Sequence, residues 1–130
     1  TIIAQAVEAA GADALSLINT LLGMAIDVKT RRPLLANQVG GLSGPAIKPV
    51  ALRMVWQTCK KVAIPVIGIG GILTATDALE FMMAGAAAVG IGTGLFVDPA
   101  TPLRILDDLR AFMVAEGFSR LDEMRGLAAS

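Results

Sequence analysis

Two short apolar runs in this chain end in the same kind of turn. "IPVIG" leads through Ile69 into Gly70-Gly71, and "AAAVG" leads through Ile91 into Gly92-Thr93-Gly94, one strand-plus-helix unit further on. Glycine lets backbone approach an anion closely, and N–H groups ahead of a following helix can point at it. One such turn is often no more than a tight strand-to-helix connection. Two in tandem suit a phosphate group held by N–H groups from both. Neither "GIGGIL" nor "GIGTGL" carries the third glycine of the dinucleotide fingerprint. A third cluster, Gly40, Gly41, Ser43 and Gly44 in "NQVGGLSGPAIKP", again precedes a helix. It reads either as a loop closing over a ligand or as a flexible linker. Asn19 and Thr20 add an amide and a hydroxyl at the end of the first strand, where barrel active sites gather.

The composition narrows the chemistry further. The 130 residues contain no histidine, which removes the commonest general base and metal ligand. Cys59 is the single cysteine, so an internal disulfide and a clustered cysteine metal site are excluded. It fits a reducing cytoplasm and falls on the apolar stripe of a helix, where it reads as core. Lysine plus arginine equals aspartate plus glutamate at eleven each, so no overall field points to nucleic acid or an anionic membrane. No uninterrupted apolar run reaches the ~18 residues of a membrane span, and no basic start suggests a signal peptide. Hydrophobic residues make up 55% of the chain, more than the ~45–50% usual in globular domains. Such a chain needs a doubly buried sheet, a covering surface from elsewhere, or both.

The elements that must position these residues alternate. "TIIAQAVEAAG" spaces Ile2, Ile3, Ala6, Val7 and Ala10 as a helix ending at Gly11. There is little room for a cap before Ile2, which gives the start a cut look. "ADALSLIN" reads as a strand. "TLLGMAIDVKTRRPLLANQVGGLSG" is too long for a simple connection. "AIDV" and "LLANQV" around "KTRR" suit a hairpin there, with Lys29, Arg31 and Arg32 as a solvated tip. "PAIKPVALRMVWQTCKKV" is the clearest helix. Ile47, Val50, Ala51, Met54, Val55, Cys59 and Val62 form its stripe, with Lys48, Arg53, Gln57, Lys60 and Lys61 facing away. Trp56 lies off the stripe, suited to packing on a neighbouring element or another chain. "IPVIGIG" and "AAAVGIG" are strands, separated by a helix from Thr74 to Gly85 with Asp77 completing a capping box. Thr101-Pro102 opens a helix running through Leu103, Leu106, Leu109 and Met113, and Ser119 and Asp122 cap a short terminal one. Near-continuous apolar strands alternating with helices predict a parallel sheet. At this level an open doubly wound sheet and a barrel both stay possible.

"NQVGGLSGPAIKPVAL" and "GIGGILTATDALEFMMAGAAAVGIGTG" together resemble the class 1 dihydroorotate dehydrogenases, FMN-dependent enzymes of pyrimidine biosynthesis. "GGLSGPAIKP" is the more specific block and resembles the NAD-linked branch. The likeness runs over essentially the whole chain. It implies an α/β fold, the C-terminal portion of a TIM (β/α)8 barrel with about three strand–helix units and an inserted hairpin excursion. Residues 1–130 would be a single partial domain. Carried onto this sequence, the family pattern implies that Ile18 lies against FMN while Asn19 and Thr20 bond the dihydroorotate or orotate ring. Gly44 would touch FMN through its backbone, and Gly70, Gly71, Gly92 and Thr93 would bind its phosphate. The family's catalytic base lies upstream of Thr1, so no catalytic residue and no metal ligand is expected here. The implied partners are the N-terminal half of the barrel, a second copy in a homodimer, and an FAD and iron–sulfur electron-transfer subunit. Rival readings are another phosphate-binding barrel enzyme, such as a sugar-phosphate isomerase or a thiamin-phosphate synthase, and a non-catalytic phosphate-binding half-barrel.

Overall fold

The structure is a computed structural model and describes residues 1–129. Helix α1 (Ile2–Ala9) leads to β1 (Leu15–Leu17). The excursion then holds β2 (Leu21–Gly23), β3 (Ile26–Asp27), β4 (Arg32–Pro33) and β5 (Gly40–Leu42). A 3-10 turn at Pro45–Ile47 runs into α2 (Lys48–Cys59). Next come β6 (Val66–Ile69), α3 (Ala75–Met83), β7 (Ala88–Gly90), α4 (Thr93–Val97) and α5 (Thr101–Glu116), with a last 3-10 turn at Leu121–Met124.

The predicted parallel sheet is present, in the order β1-β6-β7. Leu17 pairs with Gly68, and Gly68 pairs in turn with Val89. Branched residues at Val66, Ile67 and Ile69 suit a strand covered on both faces. One face packs on α2 and α3 through Ala51, Val55, Val66, Leu79 and Phe81, all buried. Gly68 makes this packing possible. A Cβ there would stand 2.5 Å from Cδ1 of Phe81, so the buried ring lies directly on the strand backbone. Gly117, at φ 76°, ends α5 in the left-handed conformation usual for a helix stop.

Several expected positions move. The excursion holds two small antiparallel pairs, β2 with β5 and β3 with β4. The "KTRR" hairpin therefore forms, but "LLANQV" is not its second strand, because Pro33 and the preceding Arg32 already close the pairing with Ile26 and Asp27. In α2 the buried line is Ala51, Val55 and Thr58, while Met54 is exposed. In α5 it is Thr101, Ile105 and Leu109, and Leu103 and Leu106 point outward. The expected α2 stripe is thus kept at Ile47, Ala51 and Val55, with Cys59 and Val62 packed against the core and Met54 turned out. In α5 Leu109 and Met113 are kept and Leu103 and Leu106 are not, because apolar residues occupy two faces of that helix. Ser119 and Asp122 do not cap a helix. The terminal segment is a 3-10 turn preceded by Arg120, with no side-chain cap. Trp56 packs within the chain, its indole N–H donating to the Ala128 carbonyl at 3.2 Å with the Lys60 ammonium over the ring.

The first helix is anchored at one point. The Glu8 carboxylate accepts from the N–H groups of Ala63 and Ile64, at 2.7 and 3.1 Å. Its expected apolar stripe is uncovered: α1 has no buried residue, and Ile2 is 82% exposed. The excursion shows the same pattern at Leu22, Met24, Ile26, Val28 and Leu34. Among the described residues no helix is long and apolar enough to cross a membrane.

Candidate functional site at the carboxyl ends of the strands

The cavity at the ends of β6 and β7 holds about 270 Å³. Ile18, Thr20, Gly44, Gly70, Gly71, Gly92 and Thr93 all line it, brought together from four parts of the sequence. β1 delivers Ile18, whose N–H donates to the Ile69 carbonyl at 2.9 Å and so fixes it beside the glycine turn. Asn19 does not line the cavity. It is exposed, and its Oδ1 accepts from the N–H of Thr20 at 2.8 Å.

The third glycine cluster is a wall of the cavity and no linker. The Thr93 hydroxyl donates to the Ser43 hydroxyl at 2.8 Å, so the loop after β5 is tied to the turn after β7. A Cβ on Gly44, where φ is 83°, would meet the Thr93 methyl at 3.4 Å. Thr20 fixes the same loop from the other side, its side chain filling the space over Gly41.

The chemistry of the lining is specific. No ionisable side chain contributes to it. Among the described residues the N–H groups of Gly70, Gly71, Gly92 and Thr93 make no hydrogen bond within the chain. They are free donors beside the hydroxyls of Thr20, Ser43 and Thr93, over a floor of Ile18, Ile47 and Ile69. Free backbone donors suit a phosphate, which presents three strong acceptor oxygens. The apolar floor suits a flat ring. The cavity can thus hold an anionic group attached to an aromatic body, using dipoles without a cation.

Ser43, in the glycine loop read as closing over a ligand, lines the cavity as well. Three further wall residues, Ile47, Ile69 and Phe96, escape sequence reasoning as site residues. Phe96, on α4, is 92% exposed at the cavity rim; α4 itself is too short for its periodicity to stand out.

The expected outward-facing Lys48 is instead held across the glycine turn. Its ammonium lies 2.6 Å from Oδ1 of Asp77 and 2.9 Å from Oε2 of Glu80. These bonds, that to Asp77 first, push the Lys48 pKa above its usual value. Asp77 fulfils the predicted capping box with Thr74 and also accepts from the Leu73 N–H at 3.0 Å. Burial raises its pKa, but the Lys48 ammonium and the Leu73 and Thr74 donors outweigh it and hold the carboxyl below the ordinary range.

The stability consequence follows from the signs. A depressed carboxyl stabilises above its unfolded-state pKa and loses that contribution as pH falls through the folded value. Asp77→Ala is expected to cost about 1–3 kcal/mol at pH 7. The deficit should shrink as pH falls below about 4, where the unfolded chain's carboxyl takes up its proton before the folded one does. Urea unfolding of the complete enzyme at neutral and acid pH measures it, and an equal deficit at both would refute the linkage.

Cys59 lies at the opposite end of β6, beside Val66 and Gly85. Burial pushes its thiol pKa up, the reverse of what a nucleophile needs. Among the described residues no group of three or more histidine, cysteine or acidic side chains could hold a metal.

Comparison with known proteins agrees across sequence and structure. The family model described as dihydroorotate dehydrogenase matches residues 1–113. A relative from Geobacter metallireducens, a "dihydroorotate dehydrogenase B (NAD(+)), catalytic subunit", is 64% identical over 117 residues, covering 90% of this chain and 38% of its own length. A protein of the same description from Trichlorobacter lovleyi is 60% identical, covering 95% of this chain and 40% of its own length. The chain thus spans about two fifths of the length of the curated relatives it matches. The crystal structure of DHODH in complex with ferulenol from Eimeria tenella superposes with a TM-score of 0.79 at 28% identity, covering 97% of this chain and 34% of that one. Its fold likeness makes the sheet and helices part of an α/β barrel.

Proposed function

Because this chain belongs to the dihydroorotate dehydrogenase family, we propose that it supplies the cofactor-phosphate cradle and part of the substrate site of an enzyme oxidising dihydroorotate to orotate, in pyrimidine biosynthesis. The cofactor in this reading is a flavin, FMN. The observation that carries the proposal is the convergence of Ile18, Thr20, Ser43-Gly44, Gly70-Gly71 and Gly92-Thr93 on one cavity with free backbone donors. Residues 1–130 then act as one partial domain, the C-terminal half of an FMN-binding barrel in the cytoplasm. A homodimer, and an FAD and iron–sulfur electron-transfer subunit, complete the assembly.

The residues present fit the group. Gly70, Gly71, Gly92 and Thr93 would hold its phosphate by N–H donation, and Gly44 would meet it through backbone. Ile18 would lie against the ring. When bound, FMN supplies the site's capacity to accept hydride from a carbon atom. The chain's own part is to fix that ring, orient the substrate and exclude water. No side chain at the cavity can take a proton from carbon, so the base of the complete enzyme comes from outside these residues.

Purification of the complete enzyme containing this chain tests the proposal. Yellow protein releasing FMN, with dihydroorotate oxidation, is expected. Colourless protein that binds only inorganic phosphate would overturn it.

Asn19 and Thr20 are assigned to the substrate ring. The local bond to Oδ1 leaves the Asn19 amide N–H groups as its available donors. Asn19→Ala is expected to weaken dihydroorotate binding by about 1–3 kcal/mol, read as a raised KM, with flavin content unchanged. Unaltered dihydroorotate kinetics would remove Asn19 from the site.

A further inference from the structure

The glycine turn after β6 is held by a strap from another element. Gly71, at φ 74°, has so little space above it that a Cβ would stand 2.7 Å from the Gly44 carbonyl oxygen and 2.9 Å from Cβ of Lys48. Lys48 begins α2, directly after the Pro45–Ile47 turn. From there its side chain spans to Asp77 and Glu80 on α3, beyond the glycines. Asp77 in turn grips the backbone of Leu73 and the backbone and hydroxyl of Thr74. The result is a closed circuit: loop 44–47, Lys48, Asp77, turn 70–74, and back to Gly44 through van der Waals contact. Both backbone walls of one side of the cavity belong to it, yet Lys48 itself does not line the cavity.

We propose that Lys48 is a positioning residue for the phosphate cradle, setting the separation of the Gly44 and Gly70-Gly71 backbones through its ion pairs with Asp77 and Glu80. This rests on the flavin-phosphate reading above and goes beyond it by assigning a role to a residue outside the lining. Two carboxylates already satisfy the ammonium, so its role is to hold the walls, and the ligand's charge is left to N–H groups. An Arg at 48 can bridge both acids as a lysine does, whereas a methionine of similar reach cannot.

The test uses the complete enzyme, stripped of flavin and titrated with FMN. Lys48→Met is expected to weaken FMN binding about tenfold, the equivalent of one hydrogen bond to a charged group. Lys48→Arg is expected to restore it to near wild type. With FMN saturating, kcat and KM for dihydroorotate should stay unchanged in both. Leu109→Ala, on α5 away from the cavity, supplies a destabilised control whose FMN affinity should not change. Wild-type affinity in Lys48→Met would overturn the positioning role, as would an equal loss in Leu109→Ala. Wild-type enzyme that takes up no FMN would instead overturn the flavin reading, and the positioning role with it.

Discussion

Gly71→Val is expected to strip the complete enzyme of flavin and disrupt its folding, whereas Gly92→Val should strip the flavin and leave the fold intact. At Gly71 the backbone is left-handed, φ 74°, a region costly for a β-branched residue, by about 1–3 kcal/mol. The added Cβ also collides with the Gly44 carbonyl and lies 3.1 Å from Pro45 Cα, backbone atoms that cannot rotate away. Overpacking adds about 1–3 kcal/mol more, a serious fraction of the ~5–15 kcal/mol that holds a domain. Gly92 differs on both counts. Its φ of −106° lies outside the left-handed region, its ψ of −88° falls just beyond the helical range, and a Cβ there meets nothing within 4 Å. A valine at 92 therefore meets no protein atom and occupies space beside the donors. Thermal melts and flavin absorbance per mole of protein separate the two outcomes. Full flavin content in a well-folded Gly92→Val enzyme would move the cradle elsewhere.

Expressed by itself, the 130-residue chain is expected to self-associate and to leave dihydroorotate unoxidised. β1 and β7 are the outer strands of the three-stranded sheet, each with one row of backbone hydrogen-bonding groups unpaired by the other described strands. Ile2, Ile3, Leu22, Val28 and Leu34 are exposed as well. At ~25 cal/mol per Å², burying several hundred Å² of such surface favours association by many kcal/mol before entropy is subtracted. The cavity also lacks a residue able to act as base. Light scattering and an assay with added FMN check both halves. A well-behaved monomer turning over at the rate of a complete enzyme would defeat the prediction.

The glycine walls of the cavity were legible because glycine leaves few interpretations. A turn that recurs at two strand ends constrains the backbone, and under the proposed reading the backbone is what would hold the anion. The sheet was legible for a related reason, since Val66, Ile67 and Ile69 carry little but strand propensity. Lys48 was not legible. A helical projection sends any charged residue of an amphipathic helix to solvent, and its partner Asp77 lies 29 positions away. Phe81 and Gly68 are likewise unremarkable letters until the chain folds one onto the other. The α5 stripe misled because Leu103 and Leu106 are as apolar as the Ile105 that is buried. A surface that other parts of a protein can cover reads, in sequence, like a core.

The ring of Phe81 resting on the bare backbone of Gly68 has a consequence for inheritance. A methyl group at 68 has no space unless residue 81 shrinks, and a small residue at 81 leaves a void unless 68 grows. Each single change is penalised, by overpacking in one case and by a cavity in the other. The two changes together can compensate, as neighbouring sites in one core do. Neutral drift therefore meets a barrier at either position taken alone, and the two letters should travel through descent as a single character.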